Sequence, residues 1–169
     1  MGRKVEEHEI GWFEEPVSPL DPRSYLEVKR RLRIPIAGGE AEYTRFGFEP
    51  LLRLRAVDYA QPDLCACGGV SEGMKIAALA SIYGVHVTPH AWGSAVGLSA
   101  ALHFYAALPG PPATLRPPDK LLEYDRTENP FRTEIVEEPI RFEKGRLFVP
   151  QGAGLGIRIR EDRVARGIR

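Results

Sequence analysis

Ile34-Pro35-Ile36-Ala37-Gly38-Gly39-Glu40 is a short apolar run that ends on a carboxylate, and the rest of the chain repeats its form. Ile10-Gly11-Trp12-Phe13 ends in Glu14-Glu15-Pro16, and Val57-Asp58-Tyr59-Ala60 leads to Gln61-Pro62-Asp63. Val85-His86-Val87-Thr88 reaches Pro89-His90, and Leu121-Leu122 runs into Glu123-Tyr124. By subtraction of residue numbers, the polar ends Glu14, Glu40, Asp63, His90 and Glu123 lie 26, 23, 27 and 33 residues apart. That spacing accommodates one strand and one helix per interval.

Helical patterns fill the intervals. Asp21-Pro22 supplies an N-cap and a first-turn proline for a helix with Tyr25, Leu26, Lys29 and Leu32 on one stripe. Thr44 can cap a helix that places Phe48, Leu51 and Leu52 on one face. Ser71 opens a helix through Met74, Ala77, Ala78 and Ile82, which Gly84 stops. From Ser94 a long helix carries Leu98, Ala101, Leu102, Tyr105 and Leu108 on one side. Alternating strands and helices imply parallel βα units. In a β/α barrel the strand ends converge on the face that carries the chemistry. Carboxylates and a histidine brought together there suggest a divalent metal beside an acid–base pair.

The fold class is therefore α/β, a partial (β/α) TIM-type barrel over residues 1–125, with a tail over 126–169 that packs outside it. About five barrel strands are expected, against the eight of a closed barrel. Gly2 to His8 reads as the last turns of a helix with no N-cap ahead of it, so the chain is expected to begin inside a larger fold. After Pro109 the character changes. A proline-rich loop (Gly110 to Pro118) precedes a last short strand, Leu121 to Tyr124. Ile140-Arg141-Phe142 and Leu147-Phe148-Val149 then read as a hairpin about Lys144-Gly145.

Composition narrows the function classes. With 43% hydrophobic and 27% charged residues over 169 positions, the chain is of ordinary globular composition. Lys plus Arg and Asp plus Glu balance at 23 each, which gives no net field for nucleic acid or a membrane surface. No secretory segment opens the chain, so a cytoplasmic protein is expected. Cys65 and Cys67 are spaced C-x-C with no second pair, which reads as two buried or half-buried thiols rather than a zinc site. His86 and His103 fall within strand and helix patterns and are given no chemistry. The glycines of Gly152 to Gly156 imitate a phosphate loop without the helix that such a loop requires.

Trp12-Phe13-Glu14-Glu15-Pro16, Gly38-Gly39-Glu40, Gln61-Pro62-Asp63, Cys67-Gly68-Gly69, Thr88-Pro89-His90-Ala91-Trp92-Gly93-Ser94 and Leu122-Glu123-Tyr124-Asp125 together resemble the C-terminal half of the mandelate racemase/muconate lactonizing enzyme family of the enolase superfamily. The resemblance reaches Gly154-Leu155-Gly156-Ile157, and it is specific in the order and intervals of the motifs rather than in any one of them. It implies a Mg²⁺-dependent enzyme that removes the α-proton of a carboxylate substrate through an enediolate. A dianion of that kind needs a hard cation with oxygen ligands. Glu14 and Glu40 match the family's second and third metal ligands. Strand alternation points Glu14 and Glu15 to opposite sides, and the family ligand is the first of the pair.

The same resemblance makes His90 the general base, with Asp63 fixing its tautomer and raising its basicity. Glu123 matches the acid that hydrogen-bonds the substrate carboxylate or the developing oxyanion. Trp92 and Ser94 are candidates for the substrate pocket, with a core position equally open for Trp92. The family's N-terminal capping domain, first barrel strands, first metal-ligand Asp and Lys base have no counterpart in these residues. The chain alone is therefore expected to be inactive, and the complete protein to be a homo-oligomer acting on a sugar acid. Dehydration is the favoured reaction. Racemisation, lactone cycloisomerisation, a non-catalytic fragment and a carboxylate-pair glycosidase are the rivals.

Overall fold

The computed structural model describes residues 2–110 and 120–166, so the proline-rich loop beyond Gly110 lies outside the described residues. The chain divides into two compact units, Met1–His90 and Ala91–Arg169.

In the first unit, α1 (Gly2–Val5) and a 3₁₀ turn (Glu6–His8) lead into four strands. β1 (Phe13–Glu14) is followed by α2 (Pro22–Arg31), and β2 (Ile36–Gly38) by α3 (Thr44–Arg53). β3 (Tyr59–Ala60) is followed by α4 (Gly69–Tyr83), which leads to β4 (His86–Val87). The strands form one parallel sheet in the order β1-β2-β3-β4. Glu14 stands opposite Ala37, Gly38 opposite Ala60, and Ala60 opposite Val87. Sequential order with a helix after each strand is the arrangement of part of a β/α barrel. Ile36, Ala37 and Ala60 of the strands are fully buried, and Tyr25, Phe48, Leu51, Leu52, Ile76 and Ala80 of the helices are buried as well.

The local chemistry explains most of these elements. The Asp21 carboxylate accepts from the N–H groups of Arg23 and Ser24 at 3.0 and 3.2 Å, with Pro22 opening the first turn of α2. Lys29 lays its stem along the helix and carries its ammonium to Asp58 Oδ1 at 2.8 Å. It also donates to the carbonyls of Arg55 and Val57. Asp58 in turn accepts from the Ile36 N–H at 2.9 Å, so one carboxylate joins α2, β2 and the entry to β3. Gly84, at φ 67°, ends α4 with its N–H on the Ala80 carbonyl.

Three expectations are corrected. Thr44 is the first residue of α3 rather than its N-cap, which is Tyr43, although the Thr44 hydroxyl does accept from the Phe46 N–H at 3.3 Å. Glu72 of α4 adds a second acceptor, for the Arg45 N–H at 3.1 Å, because a carboxylate suits the positive end of a helix. The helix α4 begins at Gly69 rather than Ser71, and it buries Glu72, Gly73, Ile76 and Ala80. Met74 and Ile82 are 37% and 76% exposed. So many of its residues are apolar or small that periodicity alone cannot select the inward face. Finally, four strands pair rather than five: among the described residues, 121–124 join no ladder. Leu122 and Tyr124 pack instead on a cluster of Ala91, Leu98, Ala101 and Leu102.

That cluster belongs to the second unit. Its main helix, α5 (Ala95–Ala107), is capped by Ser94, whose hydroxyl accepts from the Gly97 N–H at 3.4 Å. Ser99 donates to the Leu155 carbonyl at 2.6 Å, which ties α5 to the late chain. Then come α6 (Pro130–Thr133), the antiparallel pair β5 (Phe142–Glu143) and β6 (Arg146–Leu147), and α7 (Glu161–Arg166). The hairpin turns on Lys144 and Gly145 as expected. The buried Arg132 holds the Asp125 carboxylate at 2.7 Å; with the Thr127 donors it keeps that acid down at about 2. No helix among the described residues is long and apolar enough to cross a membrane.

Two outcomes test this account. Gly39 sits at φ 123°, and a Cβ there would meet Phe48 Cε1 at 2.6 Å. Gly39→Ala should therefore lower stability by more than about 2 kcal/mol in urea denaturation. The Glu72 carboxyl is held at about 2 by the Arg45 N–H first, then by Lys75 and the Arg45 guanidinium. A depressed acid stabilises the fold above its unfolded value of 4.5 and loses that contribution as pH falls toward about 2. Glu72→Gln should flatten the stability profile across that window and lower stability at neutral pH.

Candidate functional site

The polar ends of the strands in the first unit meet because of register. Ala60 and Val87 are partners in the β3–β4 ladder, and Asp63 and His90 follow them at the same offset. His90 Nδ1 lies 2.8 Å from Asp63 Oδ2. An ionised carboxylate only accepts, so Nδ1 carries the hydrogen, which donates to Asp63. Nε2 is turned the other way and lies 3.3 Å from Glu40 Oε2. One imidazole thus joins three successive strand ends. Burial pushes the Asp63 acid up, but the hydrogen bonds from His90 and the Cys65 N–H outweigh it and hold the group ionised.

Glu14 stands at the end of β1 with one oxygen doubly engaged. Its Oε2 accepts from the Trp12 indole N–H at 2.9 Å and from Gln61 Nε2 at 2.7 Å. Glu15, with φ 37°, turns toward the buried Tyr25 phenol on α2. The two acids part as strand alternation requires. Burial raises the Glu15 acid, and the charges of Glu40 and Glu14 raise it further, against the Gly39 N–H and the Tyr25 hydroxyl. Burial likewise raises Glu42, with Glu15 adding to it. Glu15 therefore sits within electrostatic reach of both Glu14 and Glu40.

This donor set suits a hard divalent cation. Glu14 and Glu40 carry carboxylate oxygens, and Glu15 stays protonated more readily because it is buried, with the neighbouring charges adding to that effect. Among the described residues no group of three or more His, Cys, Asp or Glu is placed to hold a metal ion. Mg²⁺ does not require such a group, since it is commonly held by one or two carboxylates and keeps several waters.

Three residues of the site were given no part by the sequence patterns. Gln61 and Trp12 lie inside the motifs but were read as strand and loop positions; a polar amide before a proline at a strand end was the available signal. Glu15 was set aside for Glu14, although it shares its field. The other candidates lie in the second unit. Glu123 Oε2 accepts from the Ala91 N–H at 3.2 Å. Trp92 is 65% exposed, not core, and Ser94 uses its hydroxyl to cap α5. Cys65 proves exposed and Cys67 buried, both as free thiols. Burial, then Asp63, pushes the Cys67 thiol up to about 11 and Cys65 upward as well, so neither is an activated nucleophile.

A parallel β/α sheet with acids and an Asp–His pair at its strand ends defines an enolase-type barrel domain. Comparison with known proteins agrees: residues 1–163 match the family described as Enolase C-terminal domain-like. The chain belongs to that family, in its mandelate racemase/muconate lactonizing enzyme branch. It is 44% identical over 162 residues to the D-galactarolactone cycloisomerase of Agrobacterium fabrum, covering 96% of this chain and 43% of that protein. It is 38% identical over 165 residues to the arabinonate dehydratase of Saccharolobus solfataricus, covering 95% and 41%. Among solved structures, the 3,6-anhydro-D-galactonate cycloisomerase of Zobellia galactanivorans superposes with a TM-score of 0.86 at 43% identity, over 98% of this chain and 44% of that one. The chain thus spans about two-fifths of the length of the curated relatives it matches.

The tautomer of His90 offers a direct check. With Asp63 present, the ring should hold its hydrogen on Nδ1 when neutral. Asp63→Asn removes the ionised acceptor, and ¹⁵N NMR of the histidine ring should show a loss of that tautomer preference. An unchanged tautomer ratio would mean that Asp63 does not set it.

Proposed function

We propose that this chain contributes the acid–base and metal-binding strands of a Mg²⁺-dependent enzyme that abstracts the α-proton of a sugar acid. The observation that carries the reading is His90, held through Nδ1 by Asp63 and turned through Nε2 toward Glu40. A base fixed in one tautomer beside a cation site is what removal of a weakly acidic C–H requires. Glu14 and Glu40 would hold the metal. Bound there, Mg²⁺ would offset the negative charge that builds up on the substrate carboxylate as the enediolate forms.

His90 takes the proton at Nε2, and Asp63 stabilises the imidazolium that results. The same imidazolium can then return its proton to a β-hydroxyl as that group departs, which completes a dehydration. Glu123, and with it Trp92 and Ser94, keep the substrate-binding parts that the family motif implies. Relatives named as dehydratases support dehydration. Lactone cycloisomerisation is the second reading, favoured by the 44% identity to the D-galactarolactone cycloisomerase. The two separate by product: dehydration loses one water, whereas an isomerase gives a product of unchanged mass.

In the complete protein, activity should depend on added Mg²⁺ and vanish with EDTA in a screen of sugar acids and their lactones, read by mass spectrometry. Glu40→Gln should abolish it with the fold intact by circular dichroism. His90→Asn should lower turnover by about 10²- to 10⁴-fold and stop solvent deuterium exchange at the substrate α-carbon. Exchange at the unaltered rate would assign the base elsewhere.

A further inference from the structure

Gln61 is 1% exposed, yet it carries an amide at a fully buried position between Ala60 and Pro62. Its Nε2 donates to Glu14 Oε2 at 2.7 Å, and its Oε1 is buried with no hydrogen-bond partner. Its backbone N–H is tied to the Gly38 carbonyl at 3.0 Å, which fixes where the side chain starts. A buried amide oxygen without a partner costs about as much as a hydrogen bond to a charged group contributes. An apolar side chain of the same length would serve the core at least as well. Packing alone does not account for this glutamine.

The other donor to the same oxygen is the Trp12 indole, at 2.9 Å. Trp12 lies on the approach to β1, and Gln61 follows β3, with β2 between those strands. Two N–H groups from different parts of the sheet therefore converge on one oxygen of one carboxylate. Such an arrangement fixes the rotation of the carboxylate plane and leaves Oε1 as the oxygen for another ligand.

We propose that Gln61 and Trp12 are positioning residues for Glu14: their N–H groups hold Oε2 so that Oε1 is presented to a divalent cation. The inference rests on the metal-binding reading of Glu14 given above. Neither residue touches the reacting atoms. Each acts through the carboxylate, as outer partners of metal ligands commonly do, where their loss costs about 10- to 100-fold in metal affinity.

The test uses Mn²⁺ as the probe, with affinity measured by titration in electron paramagnetic resonance and stability by thermal unfolding of the metal-free protein. Gln61→Met keeps length and apolar volume but removes the donor, and Trp12→Phe keeps an aromatic ring but removes the indole N–H. Each should weaken Mn²⁺ binding by about 10- to 100-fold while Tm stays level or, for Gln61→Met, rises. Glu14→Gln is the control for the underlying reading. If Glu14→Gln weakens Mn²⁺ binding but Gln61→Met and Trp12→Phe bind as the parent does, the positioning role is wrong and the metal reading stands. If the parent binds no Mn²⁺, or Glu14→Gln binds it equally well, the metal reading fails and this inference falls with it. A parallel fall in Tm and affinity in both donor variants would assign them to structure alone and overturn the proposal.

Discussion

The register of the parallel ladder governs the first unit. Backbone hydrogen bonds set Glu14 against Ala37, Gly38 against Ala60 and Ala60 against Val87, and everything polar at the strand ends inherits its position from those pairs. In a parallel sheet a one-residue slip would turn each side chain to the opposite face. Asp63 would then point away from His90, and Glu14 away from Gln61. The strands that set this register are buried at Ile36, Ala37 and Ala60, and Asp58, held by Lys29, accepts from the Ile36 N–H and ties the entry of β3 to β2.

Electrostatics at the strand ends follow from this alignment. Several carboxylates are brought together with the His90 imidazole. Glu15 and Glu42 respond by rising toward neutrality, while Asp63 stays ionised because His90 and a backbone N–H donate to it. The contrast separates two kinds of acid within one cluster. Those with donors keep their charge, and those buried against other acids resist ionisation.

Much of this was legible in the sequence because it depends on local signals. Apolar runs with a polar last residue marked the strand ends, and Asp21-Pro22, Gly84 and Lys144-Gly145 announced a helix start, a helix stop and a turn. Signals that need a partner were not legible. Glu72 caps α3 from the next helix, which no local pattern around Thr44 could disclose. The buried face of α4 depends on which side α3 packs, since nearly every turn offers a small or apolar residue. The segment 121–124 has strand composition but gains its burial from α5, so composition alone misassigned it. At the strand ends, Asp63, His90, Glu40 and Glu14 were marked as candidates by their recurrence, whereas the Trp12 and Gln61 donors needed coordinates.

The carboxylate of Glu72 reaches the first turn of α3 from the first turn of α4, where Arg45 and Lys75 also hold it. The opening turn of α3 is thus closed by a group that α4 carries. Fraying of α3 would strip Glu72 of its backbone donor, and fraying of α4 would leave the Arg45 amide uncapped. Opening of α4 therefore withdraws a cap from α3, and native-state hydrogen exchange should show α3 no better protected than α4. The two helices bracket β3, so a local opening large enough to release either helix would also loosen the strand that delivers Gln61 and Asp63.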